Sequence, residues 1–138
     1  MPRLLWPLLC VLILAGCAGN PEDRPELTEA DQYREASESI ESKNYLTAID
    51  QLKELEARFP YGDYAEQSAL DLIYAQYKSV DYPATVVAAQ RFMRNYPAHP
   101  RMDYALYMLG LANFNIEKGL FDNMVTSYRS SKDMDAAK

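Results

Sequence analysis

The chain has 138 residues, with 14 basic and 20 acidic side chains and a formal net charge of −6. Affinity for nucleic acid comes mostly from neutralising phosphates, so this balance speaks against a general DNA or RNA binder. The chain holds one histidine and two cysteines, so His- and Cys-based nucleophilic or metal chemistry is excluded if neither cysteine survives as a free thiol.

Arg3 precedes an apolar run of 11 residues, Leu4 to Leu14. That is signal-peptide length, about 7–15, and short of the roughly 20 that a membrane-spanning helix needs. Pro7 would also disturb a spanning helix. Ala15 and Gly16 are small enough for a signal-peptidase cleft, and Cys17 follows them. An ordinary secretory signal ends on an A-x-A pattern instead. Leu14-Ala15-Gly16-Cys17 resembles the lipobox of bacterial lipoproteins. The resemblance implies removal of residues 1–16, an S-diacylglycerol on the Cys17 thiol and an N-acyl chain on its amine. Two or more acyl chains anchor a protein stably to a membrane. Ala18 stands where inner-membrane lipoproteins tend to carry aspartate, so the resemblance implies the outer membrane. Cys10 leaves with the signal and Cys17 carries lipid, so no thiol remains for a disulfide, a metal or catalysis. Only Arg3 is charged before Cys17, which leaves 13 basic and 20 acidic residues and a mature net charge of −7. Residues 17–30 hold two prolines and several acids and read as a flexible tether.

Beyond the tether the chain repeats itself at an interval of 37 residues. Asn44-Tyr45-Leu46-Thr47-Ala48-Ile49 is echoed by Asp81-Tyr82-Pro83-Ala84-Thr85-Val86, and Arg58-Phe59-Pro60-Tyr61 by Asn95-Tyr96-Pro97-Ala98. The same step links Ala36, Ile73 and Gly110. A period of this size signals stacked supersecondary units. Each unit reads as two helices. Tyr33, Ala36 and Ile40 have helical spacing, and Ala48, Leu52, Leu55 and Phe59 form a second stripe. Asn44 punctuates between them and Pro60 ends the pair. In the second unit Asp63 is the expected N-cap, with Glu66 three residues on as in a capping box. Leu70, Ile73, Tyr74 and Tyr77 carry that helix. Asp81 is expected to cap the next one, with Pro83 in its first turn, and Pro97 ends it. Pro100 opens a third pair through Tyr104, Tyr107, Met108, Leu111 and Phe114. No alternating strand pattern competes.

Helix pairs at this period resemble the tetratricopeptide repeat, with Ala36, Ala48 and Pro60 in its small, small and closing-proline positions. Thr85 and Pro97 match in the second unit, where Ile73 replaces a small residue, and Gly110 matches in the third. The resemblance implies an all-α, tetratricopeptide-like helical-hairpin solenoid of about two and a half repeats. With the lipobox, the stretches PYGDYAEQSALDLIYAQYK and RFMRNYPAHPRMDYALYMLGL resemble the amino-terminal half of the BamD family. That family is the lipoprotein subunit of the β-barrel assembly machinery of Gram-negative outer membranes, and its members carry about five repeats. The resulting organisation is a signal peptide over 1–16, a lipidated tether over 17–30 and repeats over 31–122. Residues 123–138 are expected to form a polar loop, Asn123 to Asp133, and the start of a further helix at Met134, in a chain that looks truncated.

First helices of such arrays line a concave groove. Repeat phase nominates Tyr33, Ser37, Ile40 and Glu41, then Leu70, Tyr74, Tyr77 and Lys78, then Tyr104, Tyr107, Leu111 and Phe114. Tyrosine offers apolar area with a polar tip and few rotors, a good surface for extended peptides. Each of these positions has a second reading, as packing between helices. Tyr45 and Tyr82, at the turn inside each pair, read as packing. Arg91, Arg94 and Arg101 make a local basic cluster, either a solvated face or a contact for an acidic partner. His99, between Ala98 and Pro100, reads as a loop residue rather than a general base. No catalytic set, cofactor or metal site is expected. The resemblance implies a periplasm-facing scaffold of the outer membrane that binds barrel-assembly subunits and segments of unfolded outer-membrane proteins, and no nucleic acid. The alternative is another periplasmic tetratricopeptide lipoprotein, serving pilus assembly or coordination of cell-wall synthesis.

Overall fold

The computed structural model describes residues 27–136, with side chains through Asp122 and at Met124 and Thr126. The signal peptide, Cys17 and most of the tether lie outside the described residues. Among the described residues five helices follow one another: α1 (Glu29–Glu41), α2 (Tyr45–Arg58), α3 (Ala65–Lys78), α4 (Tyr82–Asn95) and α5 (Met102–Ala136). Each packs against the next, and α3 also meets α5. The result is an all-α stack of helix pairs, with no strand among the described residues.

The turns inside the pairs repeat atom for atom at the 37-residue interval. Lys43 and Val80 adopt left-handed φ angles of 63° and 67°. The next amides, of Asn44 and Asp81, donate to the carbonyls of Ser39 and Gln76, while those of Lys43 and Val80 reach Ile40 and Tyr77. This is the Schellman closure, which satisfies the last carbonyls of a helix and reverses the chain. The Ser42 and Ser79 hydroxyls add bonds to the same Ser39 and Gln76 carbonyls, at 3.1 and 2.9 Å. Helix α4 starts as its sequence predicts: Asp81 accepts from the Ala84 amide at 3.1 Å and Pro83 lies in the first turn. Thr28 caps α1 through the Asp31 amide. Asn44 makes no side-chain cap bond.

Three expectations are corrected. Asp63 does not cap α3, which begins at Ala65 after Tyr64. The amides of Asp63 and Tyr64 donate instead to the Glu29 carboxylate, at 3.2 and 2.8 Å, so the cap comes from the preceding unit. A local capping pattern cannot reveal an acceptor 34 residues away. The tether is shorter than expected, because α1 already includes Glu29 and Ala30. The polar segment 123–133 is helical, not a loop, and no new helix starts at Met134. No proline or glycine follows Gly119, so nothing interrupts the i→i−4 ladder there.

Two core clusters flank α3. Ala36, Ala48, Ile49, Leu52, Leu72 and Ala75 join α1, α2 and α3. Ala69, Leu70, Ile73, Ala88, Ala89, Phe92, Ala105 and Met108 join α3, α4 and α5. Small residues at 0 % exposure (Ala36, Ala48, Ala75, Ala89 and Ala105) let the helices approach closely. Thr85, in the place of Ala48, is equally buried and donates its hydroxyl to the Asp81 carbonyl at 2.8 Å. No described helix is long and apolar enough to cross a membrane.

Candidate peptide-binding groove

Helices α1, α3 and α5, the first of each pair, are tied side by side by polar side chains. The Tyr33 hydroxyl donates to Asp71 Oδ2 at 2.8 Å. Gln67 Nε2 donates to the other Asp71 oxygen at 2.8 Å, and Gln67 Oε1 accepts from Arg101 Nη1 at 2.8 Å. A continuous polar line therefore runs from α1 across α3 to the start of α5. Aromatic faces border it: Tyr33 stacks on Tyr64 at 4.6 Å, and the Arg101 guanidinium lies 5.5 Å from the centre of the Tyr104 ring. At the far end of α3, Tyr74 meets Tyr45 edge to face at 6.1 Å, and the Lys78 ammonium lies 6.0 Å from both rings.

These contacts set the electrostatics. Burial pushes the Tyr33 phenol up to about 12, and the bond to the Asp71 carboxylate pushes in the same direction. Burial also raises Tyr104, while Arg101 pulls it back. Both hydroxyls stay protonated at neutral pH; the Tyr33 proton is committed to Asp71, so Tyr104 is the one that can donate to a peptide carbonyl, and Asp71 and Gln67 offer acceptors for peptide N–H groups. No group of three or more His, Cys, Asp or Glu side chains that could hold a metal occurs among the described residues.

The nominated residues divide. Tyr33, Tyr74, Lys78 and Tyr104 lie on or beside this face. Leu70 does not: at 1 % exposure it belongs to the α3–α4–α5 core, one helical position away from the stripe formed by Gln67, Asp71, Tyr74 and Lys78. Tyr77 packs on the same core, tilts against Tyr82 at 5.5 Å and accepts from Asn115 at 3.3 Å, so it is a strut between α3 and α5. Ser37 returns its hydroxyl to the Tyr33 carbonyl at 2.9 Å. Ile40 packs against the first core, and Glu41 is exposed. Leu111 is partly buried against the second core. Tyr107 and Phe114, at 62 and 63 % exposure, stand one stripe further out on α5. Tyr45 and Tyr82 pack at the turns, as their position in the repeat predicts.

Sequence reasoning missed Gln67, Asp71 and Tyr64. Their signal was present: two polar residues four apart, inside an otherwise apolar helix, with Tyr74 and Lys78 continuing the same stripe. The basic cluster is dispersed, with Arg91 bonded to Glu56 on α2 and Arg101 to Gln67. His99 is an elbow residue. Its Nδ1 accepts from the Arg101 amide at 3.0 Å, its Nε2 faces Glu66 at 3.3 Å, and its ring meets Phe92 edge to face.

A family model described as tetratricopeptide repeat matches residues 20–138. The chain is 36 % identical over 136 residues to the outer membrane protein assembly factor BamD of Vibrio cholerae, covering 99 % of this chain and 56 % of that one. It is 34 % identical over 139 residues to the protein of the same name from Neisseria gonorrhoeae, covering 96 % and 52 %. Against that of Pasteurella multocida it is 32 % identical over 130 residues, covering 94 % and 50 %. The chain thus spans about half the length of the curated relatives it matches. From helix pairs, duplicated turns and these matches together, the chain belongs to the tetratricopeptide repeat family and is a homologue of the BamD assembly factors.

Proposed function

We propose that the chain is a lipid-anchored, periplasm-facing scaffold of the outer membrane. It holds subunits of the barrel-assembly complex and receives extended segments of unfolded outer-membrane proteins. The observation that carries the peptide-binding part is the α1–α3–α5 face. A line of fixed acceptors and donors (Tyr33, Asp71, Gln67, Arg101) is bordered by Tyr64, Tyr74 and Tyr104 rings. An extended chain has unpaired amides along both edges and alternating side chains. The polar line suits the first, and the tyrosine faces suit the second without selecting one sequence. The similarity to outer membrane protein assembly factors supports this client over pilins or cell-wall synthases. The chemistry is binding, with no bond made or broken. Cys17 would carry the lipid that holds this face in the periplasm.

Site-specific photo-cross-linking from position 74 or 107 in cells tests the reading. The expected captures are outer-membrane barrel proteins and assembly subunits, and predominant capture of pilins or cell-wall synthases would sink it. Tyr74→Ala should weaken binding of an unfolded barrel-protein segment by about tenfold, the usual effect of losing one aromatic anchor. Cys17→Ala should release the protein from membranes while leaving peptide binding in solution intact.

A further inference from the structure

Away from that face, α2 and α4 both bear on α3 and leave a groove of about 680 Å³ between them. That is within the range of about 300–1,000 Å³ usual for ligand sites. Its walls are the short side chains of Ala57, Ala84 and Ala88 with Val87, and its floor is Leu72 and Gln76. Val87 is 63 % exposed at the lip. Gln76 is only 5 % exposed, and its Oε1 has no hydrogen-bond partner. A buried carbonyl oxygen without a donor carries its full desolvation penalty, so such a group calls for a donor from outside. Rotation about the last side-chain torsion of glutamine is soft, so the amide can turn toward an arriving N–H.

The rim selects charge. Arg91 crosses one end, with Nη2 bonded to both Glu56 oxygens at 3.0 and 2.7 Å, which leaves Nη1 and Nε outside those bonds. Lys53 stands at the rim with no carboxylate partner among the described residues. Two cations against one carboxylate make a basic lip on an acidic protein, which attracts acidic segments and disfavours basic ones. Pro83 to Arg91 spans eight helical rises, about 12 Å, the length of about four extended residues.

We propose that the α2–α4 groove is a second docking site, distinct from the α1–α3–α5 face. It takes a short extended segment of a partner protein that carries an aliphatic residue flanked by acids. The aliphatic side chain lies over Leu72 and Ala88, a backbone N–H meets Gln76 Oε1, and a carboxylate meets Lys53.

Amide-resolved NMR of the full chain in detergent micelles tests this, with a capped Ser-Asp-Leu-Glu-Ser peptide and a Ser-Lys-Leu-Lys-Ser control at millimolar concentration. With the acidic peptide, shifts should gather at Lys53, the Gln76 side-chain amide and Val87. The basic control should bind about tenfold more weakly. Lys53→Glu should abolish this preference. Gln76→Met should raise the unfolding midpoint and weaken the acidic peptide about tenfold, a pairing that simple misfolding cannot give. Tyr74→Ala should leave this binding unchanged. Shifts confined to the α1–α3–α5 face, equal shifts with both peptides, shifts that grow with protein concentration alone, or no shifts would each overturn the proposal.

Discussion

Val80 is a β-branched residue held at a φ of 67°, where glycine is the ordinary occupant. It is 65 % exposed, so its side chain returns little burial for the strain. The left-handed region costs an L-residue roughly 1–2 kcal/mol. Val80→Gly should therefore stabilise the fold by about 0.5–1 kcal/mol, after the greater freedom of an unfolded glycine is set against it. Val87 is similarly exposed but lies inside α4, so Val87→Gly should destabilise by about 0.5 kcal/mol. Urea unfolding midpoints of the two variants should move in opposite directions. Tyr33 makes a prediction in pH. Its folded-state value is raised to about 12 from an ordinary 10.0. Below pH 10 both folded and unfolded chains hold the proton, and the stabilisation is fully present. Between about 10 and 12 only the folded chain still holds it, so stability falls as pH rises through that window. Tyr33→Phe should flatten this fall, though not abolish it, because Tyr96 and Tyr104 are raised by burial as well.

At the scale of elements, the joints between units decide how the pairs stack. Glu29 and Glu66 are 37 residues apart, and each reaches from the first turn of its helix to the next elbow. Glu29 binds the amides of Asp63 and Tyr64, and Glu66 faces His99. Gly62 makes the first joint possible, since a Cβ there would collide with the Glu29 carboxylate. Glu29→Ala should cost about 0.5–1.5 kcal/mol, a hydrogen bond's usual net contribution, and Gly62→Ala should remove the same contact. The two together should cost less than the sum of the single changes, because both delete one joint, and a double-mutant cycle on denaturant midpoints reads that coupling. The repeat frame, the Asp81 cap, Pro83 and the closing prolines were all legible in the sequence, because each acts within a few residues of itself. The Gln67–Asp71 stripe was visible on α3, but the Glu29 cap and the bonds from that stripe to Tyr33 and Arg101 were not, because those partners meet only when units stack. Leu70 shows the finer limit. Repeat phase places a residue on a helix to within about one position, and one position on α3 separates core from groove.

Across the whole molecule, packing is dense around α3 and fades along α5. Ala105, Met108 and Ala112 are buried, whereas Phe114, Leu120, Phe121 and Met124 are more than 60 % exposed. With Leu106 and Tyr107 they form an apolar stripe at helical spacing on the side of α5 turned away from the core. In stacked repeats each unit is stabilised by its neighbours, so local stability should follow this gradient. Hydrogen exchange should be slowest in α3, which joins both cores, and faster along α5 from Glu117 to Asp122, where every residue is exposed. Apolar side chains gathered on one exposed face promote association in solution. Leu120→Glu with Phe121→Glu should therefore reduce self-association, read as sedimentation at increasing concentration. The unfolding free energy of the α1–α4 body, read from its urea midpoint, should stay within about 0.5 kcal/mol of its original value, since neither side chain touches a core cluster. A large drop in that midpoint would mean that the end of α5 contributes to the stability of the first two units, and the gradient would then be wrong.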